Sequence, residues 1–465
     1  MQEITNFDPE TIMFNFIQKW SSQVFCYLFH VNEQQEYERF RELSTNATQY
    51  RNTANLIAKT HLNWRKNDES PEYDYNLIYE RHNSLYNARK NGNVADVMFL
   101  LRTSLNRHIG NIHNPSLYAE CYGTKDLINS YIEEVSTCLD YIVSLPTLPH
   151  NVKQEFISNC RTSYGRTALL LSGGGALSLH HIGVIKSLYE HHCLSRIISG
   201  SSGGSIVAAY ICIKNDEEFQ ELLRPDSINL NVFEETDTPL YSKILRFLQT
   251  GFFYNADEFI NGLKKNLGDV TFLEAYNKTR RILNITVTSG TQYEMPSLLN
   301  FASSPNVLIW SAVACSCAVP GVFSSFSLMA KDKNGNIELW TNSDHTFLDG
   351  SVDNDLPMQR ISEMFNVNQF IVCQVNPHVV PFLSKSIIKS RFRLICEGIM
   401  NFIFQEIRLR VKQVQEFTPL PSLLRQIFNI VDQQYTGDIT ITPNIPFVDY
   451  LKMLTNPSAE YFELI

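Results

Sequence analysis

Two apolar runs that break abruptly into glycine organise the middle of this chain. Thr167-Ala168-Leu169-Leu170-Leu171-Ser172 is apolar without alternation, and Gly173-Gly174-Gly175 follows at once. Such a run predicts a strand covered on both faces, as in a parallel sheet. From His181 to Tyr189 the spacing turns helical. Arg196-Ile197-Ile198-Ser199 predicts a second short buried strand, Gly200-Ser201-Ser202-Gly203-Gly204 interrupts it, and Ser205 to Ile211 predicts a buried helix. Further strands are predicted at Ile282 to Thr288 and Phe370 to Val375. Alternation of strands and helices across residues 165–378 predicts an α/β core of three layers, a mostly parallel sheet flanked by helices. Residues 46–160 read as helices with polar connections; in Val94 to Ser104, for example, Val94, Val97, Met98 and Leu101 share one face. Residues 1–45 read as a partly apolar, amphipathic helical segment. Residues 379–465 read as a helical extension packing on the core. No tandem repeat or long low-complexity tract interrupts these regions.

The glycine breaks carry the candidate chemistry. Ser202 has Gly200 and Gly204 as second neighbours at a strand-to-helix turn, the G-x-S-x-G pattern of a nucleophile elbow. Small neighbours let the serine sit on a sharp turn, and the following helix N-terminus favours developing negative charge. The upstream strand, glycine loop and helix present backbone N–H groups suited to an anion. The loop lacks the Lys-Ser/Thr ending of a P-loop and the spacing of a dinucleotide fingerprint, so an oxyanion hole for acyl transfer is the better use. A third element is Phe347-Leu348-Asp349-Gly350-Ser351, followed by Val352-Asp353-Asn354-Asp355-Leu356-Pro357. Serine needs a base to act as a nucleophile, and an aspartate at a strand end can supply one if the fold joins them. A histidine triad stays open on chain order alone, with Ser202, Asp349 and His378 in the order of α/β-hydrolases.

Taken together, these three elements resemble the patatin-like phospholipase family in order and rough spacing. The resemblance implies a Ser–Asp dyad without a catalytic histidine, Ser202 as nucleophile and Asp349 as base. It also implies an oxyanion hole of backbone N–H groups at Gly173, Gly174, Gly175 and Ala176. Many patatins carry Gly-Gly-Gly-x-Arg-Gly, whereas Ala176-Leu177-Ser178 follows here and no arginine lies near the loop. The strings Ser303 to Phe323, Gln374-Val375-Asn376-Pro377-His378 and Gln434 to Ile441 resemble the intracellular triacylglycerol lipases of fungi and plants. Trp64, Tyr75 to Ile78, Ala88-Arg89 and Leu100 to Arg102 resemble the helical domain that precedes the patatin core in those lipases. The resemblance runs from about residue 50 to the C-terminus. It implies a patatin-like core, a lipid ester substrate (triacylglycerol, with phospholipid or lysophospholipid as the alternative) and no cofactor. A non-catalytic lipid-surface protein is the contrasting reading, disfavoured by the intact Ser202 and Asp349. No histidine has an aspartate five residues later, so the H-x-x-x-x-D acyltransferase motif is missing.

Composition narrows the partners. Across 465 residues the net charge is −9, which leaves no dominating basic field to attract nucleic acid. Ten cysteines are scattered without C-x-x-C spacing and read as small buried hydrophobes in a reducing compartment. His180-His181 and His191-His192 lack a carboxylate at ligand spacing, so no metal is expected. Glu3, Asp8 and Glu10 precede the first apolar stretch, unlike a signal peptide. The expected location is intracellular and peripheral, at a lipid droplet or the cytosolic face of a membrane. Residues 12–31 suit a helix lying on an interface or packed on the protein. Lys385 to Arg393 and Ile407 to Lys412 set cations beside apolar residues, as a lipid-docking patch or a solvated helix face would. Oligomeric state is not readable.

Overall fold

The computed structural model describes residues 62–118, 123–222, 252–289, 297–319, 322–340, 347–349, 355–380 and 433–443, apart from 255 and 378, with a few single positions elsewhere. The expectations for residues 1–45, for Lys385 to Arg393 and for most of Ile407 to Lys412 lie outside the described residues. The chain divides into two compact units, Met1–Tyr164 with Ser386–Asn401, and Gly165–Lys385 with Phe402–Ile465.

The described part of the first unit is helical: α1 (Leu62–Lys66), α2 (Tyr75–Lys90), α3 (Val94–Ser104), α4 (Asp126–Ser144) and α5 (His150–Tyr164). Asp74 and Asn93 accept N–H bonds at the starts of α2 and α3, which sets where each helix begins. Ile78 and Leu85, Val97 and Leu101, Ile128 and Ile142, and Phe156 converge on one core at helical spacing. Into that core α4 sends a carboxylate, Glu134, met by a bidentate Arg89 at 2.7 and 2.9 Å. Burial works against the charged carboxyl, but the Arg89 hydrogen bonds outweigh it and hold Glu134 below the usual carboxylate range.

In the second unit the sheet runs β4-β3-β2-β1-β8-β9, with β7 also paired to β3. Its strands are β1 (Arg166–Leu171), β2 (Ile197–Gly200), β3 (Ile282–Ser289), β4 (Ser297–Leu299), β7 (Phe347–Asp349), β8 (Val367–Cys373) and β9 (Ile439–Ile441); a separate hairpin joins β5 (Met329–Lys331) to β6 (Ile337–Leu339). The pairs β1–β2, β1–β8, β2–β3 and β8–β9 are parallel, and β4 and β7 are antiparallel to β3. One face packs against α6 (His180–Glu190), α7 (Gly203–Ile213), α9 (Ala256–Leu267), α10 (Phe272–Thr279) and α11 (Ile309–Ser316), with α8 (Asp216–Leu222) beside them. The other face carries α12 (Met358–Phe365) through Ile361 and Phe365. The α/β expectation of a mostly parallel sheet between helical layers therefore holds.

One part of the 379–465 expectation is corrected: Ile439-Thr440-Ile441 is not helical but extends the sheet beside β8. Two β-branched isoleucines around a threonine suit a pleated edge, and three residues are too few to stand out as a pattern.

The register of β3 decides what meets at the site. Ile285 pairs with Gly200 of β2 and with Leu299 of β4, so β2 and β4 flank opposite edges. Val287 pairs with Ser297 of β4 and with Asp349 of β7, so β7 lies on the same edge as β2. Because β2 is parallel and β7 antiparallel to β3, the two strands run toward each other and meet end to end. Gly200 and Asp349 stand opposite positions two residues apart, about 7 Å along the strand.

Candidate active site

The elbow begins where β2 ends. Ser202 has φ 46° and ψ −128°, a conformation that non-glycine residues rarely hold and that the surrounding packing must enforce. That packing is visible in the glycines. A Cβ on Gly204 would lie 2.5 Å from the Ser172 carbonyl, one on Gly203 would lie 2.6 Å from the Gly175 carbonyl, and one on Gly200 would run into the Gly204 backbone. The elbow is thus pressed against the end of β1 and against the glycine loop, closer than any side chain permits. Ser201 N–H continues the β1 ladder to Leu171 at 3.3 Å. Helix α7 starts at Gly203, so its N-terminal N–H groups lie just beyond the Ser202 hydroxyl.

The glycine loop has φ 154° at Gly174 and 59° at Gly175, which no L side chain adopts comfortably. Among the described residues the N–H groups of Gly174 and Gly175 donate to no acceptor, while Leu177 N–H closes the turn onto Gly174 at 3.2 Å. Gly173 departs from the expected oxyanion set. Its N–H donates to Asp355 Oδ1 at 3.0 Å and is committed to the interior, so it is not available to an incoming oxyanion. Ala176 lies within the short turn Gly175–Leu179. Beneath the loop, Ser172 Oγ accepts from Val375 N–H at 2.9 Å, and His181 Nε2 meets the Ser172 carbonyl at 2.9 Å. Burial drives the His181 pKa down to about 4, so its imidazole is neutral at physiological pH.

Asp349 arrives from the opposite direction and is fully buried, whereas Ser202 keeps 8% of its surface. The C-terminal end of α11 joins the two. Ser202 N–H donates to Ser316 Oγ at 3.0 Å, Ser316 Oγ donates to the Thr286 carbonyl at 2.8 Å, and Asp349 N–H donates to the Ala318 carbonyl at 3.2 Å. Between them lies Cys317. Its thiol pKa is pushed well up, by burial first and by the Asp349 charge second, while hydrogen bonds from the Ser205 and Ser202 hydroxyls act the other way. Ser202, Ser205, Cys317 and Asp349 therefore share one buried electrostatic neighbourhood. The arrangement sets a hydroxyl on a strained turn, a buried carboxylate at the end of the facing strand and a glycine loop against the elbow.

Several of these partners carry no signal in the sequence. Ser316 and Cys317 sit in an apolar string that reads as core, and α11 is indeed buried along its whole length. Asp355 reads as part of a turn, yet it is buried and also accepts from Ser201 Oγ and, through Oδ2, from Asn376 Nδ2 at 2.7 Å. His378 lies outside the described residues. His180 meets the Tyr461 hydroxyl at 3.0 Å and His191 its own helix at Ser187, 2.8 Å away. Among the described residues no three His, Cys, Asp or Glu side chains gather as a metal ligand set, and no helix is long and apolar enough to cross a membrane.

Comparison with known proteins places this geometry. The model of a domain of unknown function, DUF3336, matches residues 26–162, and that of the patatin-like phospholipases matches residues 169–360. Triacylglycerol lipase 4 of Saccharomyces cerevisiae is 39% identical over 426 residues, 87% of this chain and 46% of that protein. Triacylglycerol lipase SDP1L of Arabidopsis thaliana is 37% identical over 407 residues, 84% of this chain and 50% of that protein. The chain thus spans about half the length of these two relatives. Triacylglycerol lipase ptl3 of Schizosaccharomyces pombe is 36% identical over 405 residues, 86% of this chain and 84% of that protein. On that match, and with a patatin-like core in its second unit, this chain belongs to the patatin-like phospholipase family, alongside fungal and plant proteins named triacylglycerol lipases.

Proposed function

We propose that the protein is a serine acyl hydrolase that cleaves ester bonds of triacylglycerol through a dyad of Ser202 and Asp349. The observation that supports this reading is the meeting of β2 and β7 on one edge of β3, which turns the elbow and the aspartate toward each other. In the first step Asp349 accepts the Ser202 proton as the hydroxyl oxygen attacks the ester carbonyl. The N–H groups of Gly174, Gly175 and Ala176 hold the oxyanion, helped by the N-terminus of α7. The C–O bond to the alcohol then breaks, the alcohol leaves with the proton, and an acyl-enzyme ester remains on Ser202. Water then gives a proton to Asp349 as its oxygen attacks the acyl carbonyl; a second oxyanion collapses, the C–O bond to Ser202 breaks, the fatty acid leaves, and the proton on Asp349 returns to the Ser202 oxygen. The chemistry uses no metal or organic cofactor. Triacylglycerol is favoured as substrate by the names of the relatives, and a lipid droplet or membrane surface follows as the partner.

The test uses Ser202→Ala and Asp349→Asn on the full chain. Each is expected to abolish hydrolysis of a triolein emulsion and labelling by a fluorophosphonate, with an unchanged circular dichroism spectrum. Retained hydrolysis in folded Ser202→Ala would sink the reading. Faster release of fatty acid from phosphatidylcholine vesicles than from triolein would keep the dyad and reassign the substrate.

A further inference from the structure

Asp355 is the buried group that the proposed reaction does not use. The residue is 2% exposed, and hydrogen-bond donors converge on its carboxylate. Oδ1 accepts from Gly173 N–H at 3.0 Å and from the Ser201 hydroxyl, which also reaches the Asp355 carbonyl at 2.9 Å. Oδ2 accepts from Asn376 Nδ2 at 2.7 Å, in the loop that follows β8. Behind it, Asp355 N–H donates to Gln433 Oε1 at 2.9 Å, and Gln374 holds the same C-terminal stretch through Tyr435 and Ile441. Burial pushes the Asp355 pKa up, and the converging hydrogen bonds oppose that push.

The two groups on Oδ1 have a particular place in the chain. Gly173 is one residue before the donors Gly174 and Gly175, and Ser201 is one residue before Ser202. A single oxygen atom therefore ties down both halves of the site at their nearest neighbours. We infer that Asp355 is a positioning residue that sets the distance between the oxyanion loop and the nucleophile, with Asn376 and Gln433 holding it in turn. The inference rests on the hydrolase reading above. It also gives a use to the string Gln434 to Ile441: its strand β9 and the adjoining Gln433 brace the back of this carboxylate.

Hydrogen-bonding shape, not charge, is the working property. Asparagine can keep its Oδ1 on Gly173 and Ser201, and a turned-over Asn376 amide can accept from its Nδ2. Asp355→Ala removes all three acceptor functions and frees the loop. The experiment measures kcat and KM on a soluble short-chain p-nitrophenyl ester, normalised to active sites counted with a fluorophosphonate. Asp355→Ala is expected to lower kcat by roughly 100-fold with KM within about threefold, the scale of a misplaced oxyanion donor. Asp355→Asn is expected to recover activity to within roughly tenfold of the parent. Ser201→Ala, a small change that covers the case of an unfolded Asp355→Ala, is expected to lower kcat by roughly tenfold with KM unchanged. A kcat within threefold of the parent in folded Asp355→Ala, or in Ser201→Ala if the former does not fold, overturns the inference. So does an Asp355→Asn as inactive as Asp355→Ala. Ser202→Ala run in parallel keeps the two ideas apart, since its activity bears on the hydrolase reading alone.

Discussion

Replacing Gly203 by alanine tests the contact between elbow and glycine loop with a single methyl group. The backbone at Gly203 is the first turn of α7 and needs no positive φ, so alanine brings no conformational strain. Its Cβ, however, would sit 2.6 Å from the Gly175 carbonyl oxygen and 3.1 Å from Ser178 Cβ. Contacts below 3.0 Å do not persist, so the Gly175 carbonyl must retreat by about 0.4 Å at least, and by about 0.8 Å for ordinary van der Waals contact. The Gly175 carbonyl shares its planar peptide unit with the Ala176 N–H, one of the proposed oxyanion donors. Such donors act over a window of about 2.7–3.1 Å, and loss of one costs roughly 10²–10³ in rate. Gly203→Ala should therefore lower kcat by roughly 100-fold on a soluble ester, with KM little changed. Overpacking costs about 1–3 kcal/mol, so the melting temperature should fall by a few degrees while the protein stays folded at 25 °C. A folded Gly203→Ala enzyme with kcat within threefold of the parent would refute the argument that this contact sets the donor position.

Three more outcomes follow from other parts of the structure. Ser316→Ala strips the acceptor from Ser202 N–H and the donor from the Thr286 carbonyl, so chemical denaturation should show a loss of about 2 kcal/mol, and fluorophosphonate labelling should slow; unchanged stability and labelling would mean the elbow is held by its glycines alone. His181 is neutral when buried, while in the unfolded chain it takes up a proton below pH 6.5. Its contribution is thus fully present above pH 6.5 and is lost as pH falls toward about 4, amounting to about 3 kcal/mol. Denaturation curves of His181→Gln should show a shallower acid decline over that window, and identical declines would count against a neutral buried His181. Arg89→Met leaves Glu134 buried without its partner and should destabilise the helical unit by about 3 kcal/mol in calorimetry. The double variant with Glu134→Met should recover most of that loss, and no recovery would mean the arginine acts through packing.

Much of the core was legible because buried parallel strands announce themselves locally. β1 and β2 are apolar on both faces, and each glycine break follows immediately, so Ser202 and the loop stand out from six or seven consecutive residues. The partners of these elements are encoded elsewhere. Asp355 lies 182 residues from Gly173, and nothing in Asp353-Asn354-Asp355 says which carboxylate turns inward. Gly173 looked equivalent to Gly174 and Gly175 for the same reason, since only its distant acceptor distinguishes it. Ser316 and Cys317 were hidden by the opposite effect, two small side chains at the C-terminal end of a helix buried all round. β7 and β9 have three residues each, and their membership in the sheet is fixed by register with long neighbours, not by any periodicity of their own.

The end-to-end meeting of β2 and β7 has a consequence for how this chain tolerates change. Nearly 150 positions separate Ser202 from Asp349, but the spacing of the two does not depend on that intervening length. It is fixed by backbone ladders to one shared strand and by the carbonyl and hydroxyl at the end of α11. An insertion in the exposed turn between β5 and β6, which belongs to neither ladder, leaves Ser202 and Asp349 at the same spacing. Chain length between the two positions can therefore vary without altering how the two strand ends face each other.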